Sequence, residues 1–194
     1  GAVATALFWA YAVGQFIHGQ FAERFSSRHY LFIVILLSAL MNLLIGPVAG
    51  LGLFLLGVVW ALNGFFQAGG WANCIKTLSQ WFPPKARGKR MGLYGACYQF
   101  GNVMAWLLAG YTIARYGWRG AFIAAPIILA VIGFLPLLFG KNRPEDAGLP
   151  PIEIYEQYGE FKGMTVEEIK AKIKPKTEKE EHAGFRFTLK QTVA

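Results

Sequence analysis

The sequence predicts an all-α protein, a polytopic membrane helix bundle, and three observations support that class. Five apolar runs, each of roughly 16–30 residues, recur between residues 2 and 140, close to the length that a helix needs to cross a bilayer. Several of the loops between them are short and rich in Lys and Arg, and a hydrophilic tail follows. A small soluble core has no physical reason to contain five such runs, so we expect a lipid bilayer around them.

The formal charge is divided unevenly along the 194 residues. Residues 1–140 contain nine Lys or Arg and one acid, Glu23, so they carry the whole net charge of +8, while the tail balances ten bases against ten acids. Bases that border apolar helices are typical of the cytoplasmic side of a cell membrane and not of nucleic-acid binding. We therefore expect a multi-pass membrane protein without a nucleic-acid partner, in which the loops 22–29 and 82–90 and the tail after residue 141 are cytoplasmic.

The first predicted span covers about residues 2–21 and carries a polar face. Tyr11, Gln15 and His18 follow i, i+4, i+7 spacing, which places them on one side of a helix. Polar side chains in contact with lipid are costly, so this face is expected to turn toward the bundle interior. It would either line a wet cavity or bond to neighbouring helices, and the spacing alone leaves both possibilities open.

The second and third predicted spans cover about residues 30–45 and 51–81. The uncharged turn between them is expected on the outer face. The third span is longer than a bilayer core needs, so its end should project into the inner interface. Lys76 lies near that end and is expected to extend toward the interface. A stripe of polar and small residues runs along the same helix, with Trp71 beside it: Asn63, Gln67, Gly70 and Cys74.

The fourth and fifth predicted spans cover about residues 91–114 and 120–140. Tyr94, Tyr98 and Asn102 share one face of the fourth span, which indicates a polar lining. The turn between the two spans contains two bases and is assigned to the outer side, because the inner loops contain more. Residues 142–184 are expected to form a cytoplasmic central loop with a short helix near 165–174, and 185–194 to approach a further helix.

The sequence contains no pattern that indicates a metal, a cofactor or a covalent mechanism. The two cysteines, Cys74 and Cys97, lie inside apolar segments and lack the spacing of a zinc site or a disulfide framework. No acid pair and no Ser/Cys–His constellation occurs within the spans. We therefore expect no cofactor, no metal and no enzymatic activity.

Three stretches resemble a known family of transporters. The polar break from Gly19 to His29 resembles the signature loop between the second and third helices of the major facilitator superfamily. The stretch 63–71, and the pair Trp81-Phe82 followed by Arg87-Gly88, resemble the fourth helix and following loop of its organophosphate:inorganic phosphate antiporters. The stretch 148–155 resembles the start of their central loop. The signature loop is defined here by Gly19, Glu23, Arg24 and Arg28.

The resemblance implies a partial amino-terminal half of a twelve-helix major facilitator fold. It covers the second to sixth helices and part of the central loop, so the first helix and the second half would belong to a missing remainder of the same transporter. It also implies a secondary active transporter that moves a small organic anion, above all a phosphate ester in exchange for inorganic phosphate, by alternating access. Glu23 would help to lock the two halves together.

The resemblance also implies a substrate pathway. In the family a Tyr is often followed four residues later by Lys on the second helix, whereas Gln15 stands in the place of that Lys. Tyr94 and Tyr98 stand where phosphate transporters have Trp and His. These departures leave two alternatives open, a carboxylate or sugar transporter of the same superfamily and a membrane sensor of a sugar phosphate. The expected pathway residues are Tyr11, Gln15, Gln67, Trp71, Tyr94, Tyr98 and Asn102.

Overall fold

The computed structural model of the chain describes residues 1–152 and residue 168. The segment 185–194 and, apart from the helical Glu168, the short helix expected near 165–174 lie outside the described residues. The described part contains four long helices and a 3₁₀ helix over Pro144–Ala147, with no strand. The predicted all-α class is therefore confirmed. The long helices are α1 (Ala2–Arg24), α2 (Ser27–Val48), α3 (Leu53–Trp81) and α4 (Pro84–Phe139).

Three of these helices are long and apolar enough to cross a membrane, among the residues that the structure describes. They are α2, α3 and α4, whose most apolar windows have mean hydropathies of 2.5, 1.4 and 2.6. Helix α1 has the length, 23 residues, but its composition is more polar because it includes Tyr11, Gln15 and His18. Helix α4 has 56 residues, well over twice the length of about 20 residues that one crossing needs.

Helix α4 consists of two antiparallel arms. Gly117 interrupts it with a φ of 72° and a ψ of 178°, inside the turn that the sequence places between the last two spans. The indole N–H of Trp81 donates to the carbonyl oxygens of Lys141 and Asn142, at 3.2 and 3.1 Å. The start and the end of α4 therefore both lie beside Trp81, so the chain reverses at Gly117. We name the arms α4a (84–116) and α4b (118–139).

Helix α3 is the central element, because it packs against both α1 and α2. Its crossing with α1 depends on residues without bulky side chains. A Cβ atom on Gly64 would lie 2.5 Å from the carbonyl oxygen of Leu7, and one on Gly14 would lie 2.9 Å from the Cβ of Ala68. Small residues at such positions let two helix backbones approach closely. The second arm, α4b, packs against α2, where the rings of Phe32 and Phe134 are 4.9 Å apart.

Five helix ends meet at one end of the bundle, which we call the inner end. Asn142, just after α4b, joins two of them: its Oδ1 accepts from the Ser26 hydroxyl at 3.2 Å and from the backbone N–H of Arg28 at 3.1 Å. Lys76 of α3 donates to the carbonyl oxygens of Ala22 and Phe25 at the end of α1. Carbonyls at a helix end have no partner within the helix and attract a cation, so the Lys76 side chain ends at the inner end of α1.

The helices extend further than the predicted apolar runs. Residues 84–90, predicted as part of a loop, are helical from Pro84 onward. Proline suits this first position because the N–H that it lacks would have no partner inside the helix. In the same way α1 continues to Arg24 and α2 begins at Ser27, so the predicted loop 22–29 is reduced to Phe25 and Ser26. Helical hydrogen bonding thus continues into the charged segments at the inner end.

Candidate functional site

A cavity of about 460 Å³ lies between the helices and is bordered by all of them. Five predicted pathway residues line it: Tyr11 from α1, Gln67 and Trp71 from α3, and Tyr94 and Tyr98 from α4a. The structure therefore brings together residues that are up to 87 positions apart in the sequence. Eight further residues complete the lining, namely Leu31, Val34, Ile35, Ser38, Phe66, Gly70, Cys74 and Leu129.

One part of the cavity lining is an aromatic cluster built by α3 and α4a. The Trp71 ring lies 5.0 Å from that of Tyr94, at an interplanar angle of 34°, and 5.9 Å from that of Tyr98, nearly edge-on at 77°. Such pairs hold large side chains in fixed orientations. Each of the three residues also has an N–H or O–H group that can donate a hydrogen bond. This part of the lining therefore offers apolar surface together with hydrogen-bond donors.

A second part of the lining is polar and is backed by a buried amide. The side chain of Asn63 on α3 is fully buried, and its Oδ1 accepts from the hydroxyl of Ser38 at 2.7 Å and from Nε2 of Gln67 at 3.2 Å. Asn42 of α2 donates to the same oxygen at 3.1 Å. The sequence shows both i, i+4 pairs, Ser38 with Asn42 and Asn63 with Gln67. Their association between two helices is visible only in the structure.

His18 of α1 is buried where it contacts both α2 and α3. Its ring is 4% exposed; Nδ1 lies 2.5 Å from the Tyr30 hydroxyl and Nε2 lies 2.9 Å from the carbonyl oxygen of Phe65. A carbonyl oxygen only accepts, so Nε2 is the donor of that bond. Both alternatives for the polar face of α1 therefore occur: Tyr11 lines a cavity, while His18 bonds to neighbouring helices.

Two predicted pathway residues lie outside this cavity lining. The side chain of Gln15 approaches the Tyr11 hydroxyl, one helical turn away. Asn102 is exposed, donates to Oε1 of Gln99 at 3.1 Å, and borders a separate depression of about 610 Å³ with Trp106. The sequence spacing placed Gln15 on the same helical face as Tyr11, and Asn102 on the same face as Tyr98. It could not show where along the helix axis the neighbouring helices enclose a cavity.

The signature-loop residues lie at the inner end. Glu23 and Arg24 are exposed, Gly19 and Arg28 are half-buried, and the backbone of Arg28 bonds to Asn142. Sequence reasoning missed Asn142, and no local pattern marks it. The loop is therefore tied to the residue that follows α4b, at the opposite end of the described chain from α1.

The cavity walls carry no charged side chain among the described residues that line them. A second cavity of about 370 Å³ lies closer to the inner end and shares Leu31, Cys74 and Tyr94 with the first. Lys141 is the charged residue of its lining. The two cavities therefore adjoin each other, and the second lies on the side of the basic inner end. The residues that line the main cavity thus supply hydrogen bonds and shape, and not compensating charge.

Comparison with known proteins shows which family this architecture belongs to. Residues 1–188 match the Major Facilitator Superfamily. The chain is 29% identical over 157 residues to a probable hexose phosphate transport protein of Chlamydia pneumoniae, covering 81% of this chain and 34% of the relative. It is 35% identical over 158 residues to the glucose-6-phosphate exchanger SLC37A2 of Homo sapiens, covering 78% of this chain and 30% of the relative. It is 29% identical over 180 residues to the membrane sensor protein UhpC of Salmonella typhimurium, covering 89% of this chain and 40% of the relative.

The chain spans about a third of the length of the curated relatives that it matches. The resemblance to sugar-phosphate exchangers that the sequence predicts is confirmed by these relatives, two of which are named for transport of a hexose phosphate. The apolar helices agree with a multi-pass membrane protein. By the match over residues 1–188, the chain belongs to the Major Facilitator Superfamily.

Proposed function

We propose that this chain forms part of a secondary active transporter that moves a small organic anion by alternating access, and that the anion is a phosphate ester exchanged for inorganic phosphate. The observation that supports this most directly is the cavity that gathers Tyr11, Gln67, Trp71, Tyr94 and Tyr98 between the helices. The family and the names of the relatives favour the same activity, which involves no covalent chemistry.

The cavity chemistry fits an ester better than an inorganic ion alone. Aromatic faces such as those of Trp71 and Tyr94 pack well against the apolar faces of a sugar or glycerol moiety, and hydroxyl and amide groups bond to its oxygens. A doubly charged phosphate also needs cations in a site of low dielectric constant. Because the described lining residues are uncharged, we assign that charge to parts of the full-length protein beyond these residues.

The orientation follows from the bases. Besides Lys76 of α3, eight Lys or Arg residues lie at or near the inner end, whereas two, Arg115 and Arg119, flank the turn at Gly117. Loops on the cytoplasmic side of a membrane carry the excess of such residues. We therefore assign the inner end, with the segments 22–29 and 82–90 and the chain after residue 141, to the cytoplasm. The inner-end bases are Arg24, Arg28, Lys85, Arg87, Lys89, Arg90, Lys141 and Arg143.

The signature loop is assigned a conformational role. Gly19, Glu23, Arg24 and Arg28 lie where a second half of the transporter would meet this one at the cytoplasmic face. The exposed carboxylate of Glu23 is able to accept hydrogen bonds from an Arg or from a helix N-terminus of that second half. Such a contact would form in one state of the alternating cycle and break in the other.

A second candidate function is a membrane sensor that binds a sugar phosphate and signals to a partner. The specific observation in its favour is the similarity over 89% of this chain to a protein named as a membrane sensor. A sensor needs the same cavity but no exchange. Binding and exchange must therefore be measured separately.

Counterflow in vesicles tests the proposal. Proteoliposomes that contain the full-length protein are loaded with labelled inorganic phosphate, and its exit is followed after external addition of glucose 6-phosphate, glycerol 3-phosphate or a carboxylate such as succinate. We expect exit with the phosphate esters alone. Saturable binding of an ester without exit would favour the sensor, and exit or uptake with carboxylates alone would contradict the assigned cargo.

A matched pair of variants links the exchange to the cavity. Trp71→Phe removes an indole N–H from the lining, and we expect it to raise the KM for the ester several-fold, because one lost hydrogen bond corresponds to about a threefold to tenfold change. Trp106→Phe makes the same chemical change at a residue that is 81% exposed and outside this cavity. Its KM should match that of the unaltered protein.

A further inference from the structure

The amide orientations around Asn63 can be derived step by step from the hydrogen bonds. Nδ2 of Asn42 lies 2.9 Å from the backbone carbonyl oxygen of Ser38, which can only accept a hydrogen bond. Asn42 must therefore present its amino group there. The same amino group lies 3.1 Å from the side chain of Asn63, so the Asn63 atom that it meets must be the oxygen.

The orientation of Asn63 determines that of Gln67. Because Asn63 presents its oxygen, Gln67 must turn its amino group toward it, and the two atoms are 3.2 Å apart. The hydroxyl of Ser38 donates to the same oxygen at 2.7 Å. Gln67 and Ser38 are the polar residues of this part of the cavity lining, and both have a donor hydrogen committed to Asn63. Their oxygens keep lone pairs that are available to a ligand in the cavity.

The arrangement around Asn63 is unfavourable in one respect. Three donors share one amide oxygen that has two lone pairs, and the buried Nδ2 of Asn63 has no partner among the described residues. A buried polar group without a partner lowers stability. Turning the amide over would set its amino group against the amino groups of Asn42 and Gln67, so the geometry holds one orientation.

We propose that Asn63 is a positioning residue for this wall of the cavity. Its side-chain oxygen accepts a hydrogen bond from Gln67 and another from Ser38. The oxygens of Gln67 and Ser38 are thereby left to accept hydrogen bonds from the hydroxyl groups of the organic part of the substrate. This inference rests on the proposed function. It adds that one part of the cavity lining donates hydrogen bonds and another part accepts them. The aromatic cluster of Trp71, Tyr94 and Tyr98 carries the donors, which suit phosphate oxygens. The wall backed by Asn63 carries acceptors, which suit sugar or glycerol hydroxyls.

This division predicts a difference between two substrates of the same protein. Inorganic phosphate has no organic hydroxyl groups, so its binding does not depend on the acceptor wall. Loss of the Asn63 oxygen frees the Gln67 amide to rotate. It should therefore weaken the binding of phosphate esters selectively.

The test compares two exchange reactions of the full-length protein in proteoliposomes. Phosphate self-exchange and exchange of phosphate for glucose 6-phosphate are measured for the unaltered protein and for Asn63→Leu, or for Asn63→Ala if the Leu variant does not reach the vesicles. We expect the KM for glucose 6-phosphate to rise about tenfold, the effect of one hydrogen bond, while the KM for phosphate stays within about twofold. Phosphate self-exchange also reports that the variant is folded.

Four further variants separate positioning from a merely structural role. Asn63→Asp keeps acceptor oxygens in the same volume and should restore the KM for the ester. Gln67→Leu should raise that KM as Asn63→Leu does, and the double variant should add nothing further, because the two residues act as one unit. Asn73→Leu is the matched control, since Asn73 is also fully buried on α3, its side-chain amino group donates to the backbone carbonyl of Gly69, and it lies outside the lining.

The outcomes distinguish this inference from the proposed function. A KM that rises equally for phosphate and ester, additive effects of Asn63→Leu and Gln67→Leu, or the same selective loss in Asn73→Leu would each overturn the positioning role while leaving the transporter assignment intact. If the unaltered protein exchanges neither substrate, the proposed function itself fails, and the role of Asn63 in transport fails with it.

Discussion

Lys76 shows how a single basic side chain can stabilise a neighbouring helix. It belongs to α3, but its ammonium group donates to two carbonyl oxygens at the end of α1, those of Ala22 and Phe25. Carbonyl groups in the last turn of a helix have no partner within the helix and carry a partial negative charge. Lys76 therefore stabilises the end of α1, next to the signature loop, from outside that helix.

Replacement of Lys76 by Met should destabilise the full-length protein. Met keeps the length and apolar stem of the side chain and removes the donor, so the carbonyls of Ala22 and Phe25 lose this partner. We expect a loss of up to about 2 kcal/mol, the upper value for a partly buried cation at a helix C-terminus. Thermal unfolding in detergent measures it, with Lys89→Met as the control because Lys89 is exposed at the same end. Equal melting temperatures of the two variants would contradict the capping role.

The polar face of α1 shows what residue-level prediction can and cannot achieve. The i, i+4, i+7 spacing predicted that Tyr11, Gln15 and His18 face inward, and Tyr11 and His18 do contact the interior. The spacing does not show which atoms of other helices these side chains contact. Whether an inward residue meets a cavity or a carbonyl such as that of Phe65 depends on atoms from another helix, 47 positions away. The same holds for Lys76, whose carbonyl partners at the end of α1 are not visible in the sequence.

The crossing of α1 and α3 is the tightest contact at the element scale. Gly64 has the carbonyl oxygen of Leu7 2.5 Å from where its Cβ would be, so an added methyl group has no room. The neighbouring atom is backbone and cannot move aside as a flexible side chain would. The sequence contains many glycines in its spans, and only their structural surroundings show which of them a helix crossing depends on.

Gly64→Ala should therefore separate α1 from α3 and destabilise the protein by about 1–3 kcal/mol, the usual range for overpacking. Gly57→Ala is the matched control, because it lies on the same helix with no atom within 4 Å of its Cβ position. Since Ala favours helix more than Gly, the control should be neutral or slightly stabilising. Thermal unfolding of both variants decides the matter, and a neutral result for Gly64→Ala would mean that the crossing is looser than described.

The reversal between α4a and α4b depends on a backbone conformation that favours glycine. At Gly117 φ is 72°, a region in which a residue with a Cβ is strained by about 1–2 kcal/mol. We expect Gly117→Ala to lower the midpoint of thermal unfolding by an amount that corresponds to this strain. Gly110→Ala on α4a, where the Cβ has open space, should not lower it. A higher midpoint for Gly117→Ala would indicate that the arms reverse elsewhere.

The ends of the helices were predictable where apolar sequence gives way to a turn, and less so where a helix continues into charged sequence. The apolar runs marked the helices, and the turn predicted between the last two spans contains Gly117, where α4a ends and α4b begins. The runs did not mark how far hydrogen bonding continues into charged segments. Residues 84–90 are basic and polar enough to resemble a loop, yet nothing in a Lys- and Arg-rich sequence after Pro84 opposes a helix, since both residues favour it.

The described residues enclose two adjoining cavities, one uncharged and one that reaches toward the basic inner end. The first cavity contains the aromatic cluster, the second reaches Lys141, and the two share Leu31, Cys74 and Tyr94. A transporter that opens to the cytoplasm needs such a connection. Within the described residues the shared stretch beside Cys74 is where the two cavities meet, so a ligand in either one would lie close to this thiol.

Cys74 should therefore report on substrate and orientation together. In the full-length protein with every other cysteine replaced by Ala, we expect a membrane-impermeant methanethiosulfonate reagent to label Cys74 from the cytoplasmic side, and glucose 6-phosphate to slow the labelling several-fold by filling the cavity. A protein with Cys97 as its single cysteine is the control, because Cys97 is exposed and outside both cavity linings. Its labelling should not respond to the ester.

Labelling of Cys74 from the opposite side alone would reverse the orientation that the bases predict. Labelling unaffected by any phosphate ester would place the substrate away from the aromatic cluster.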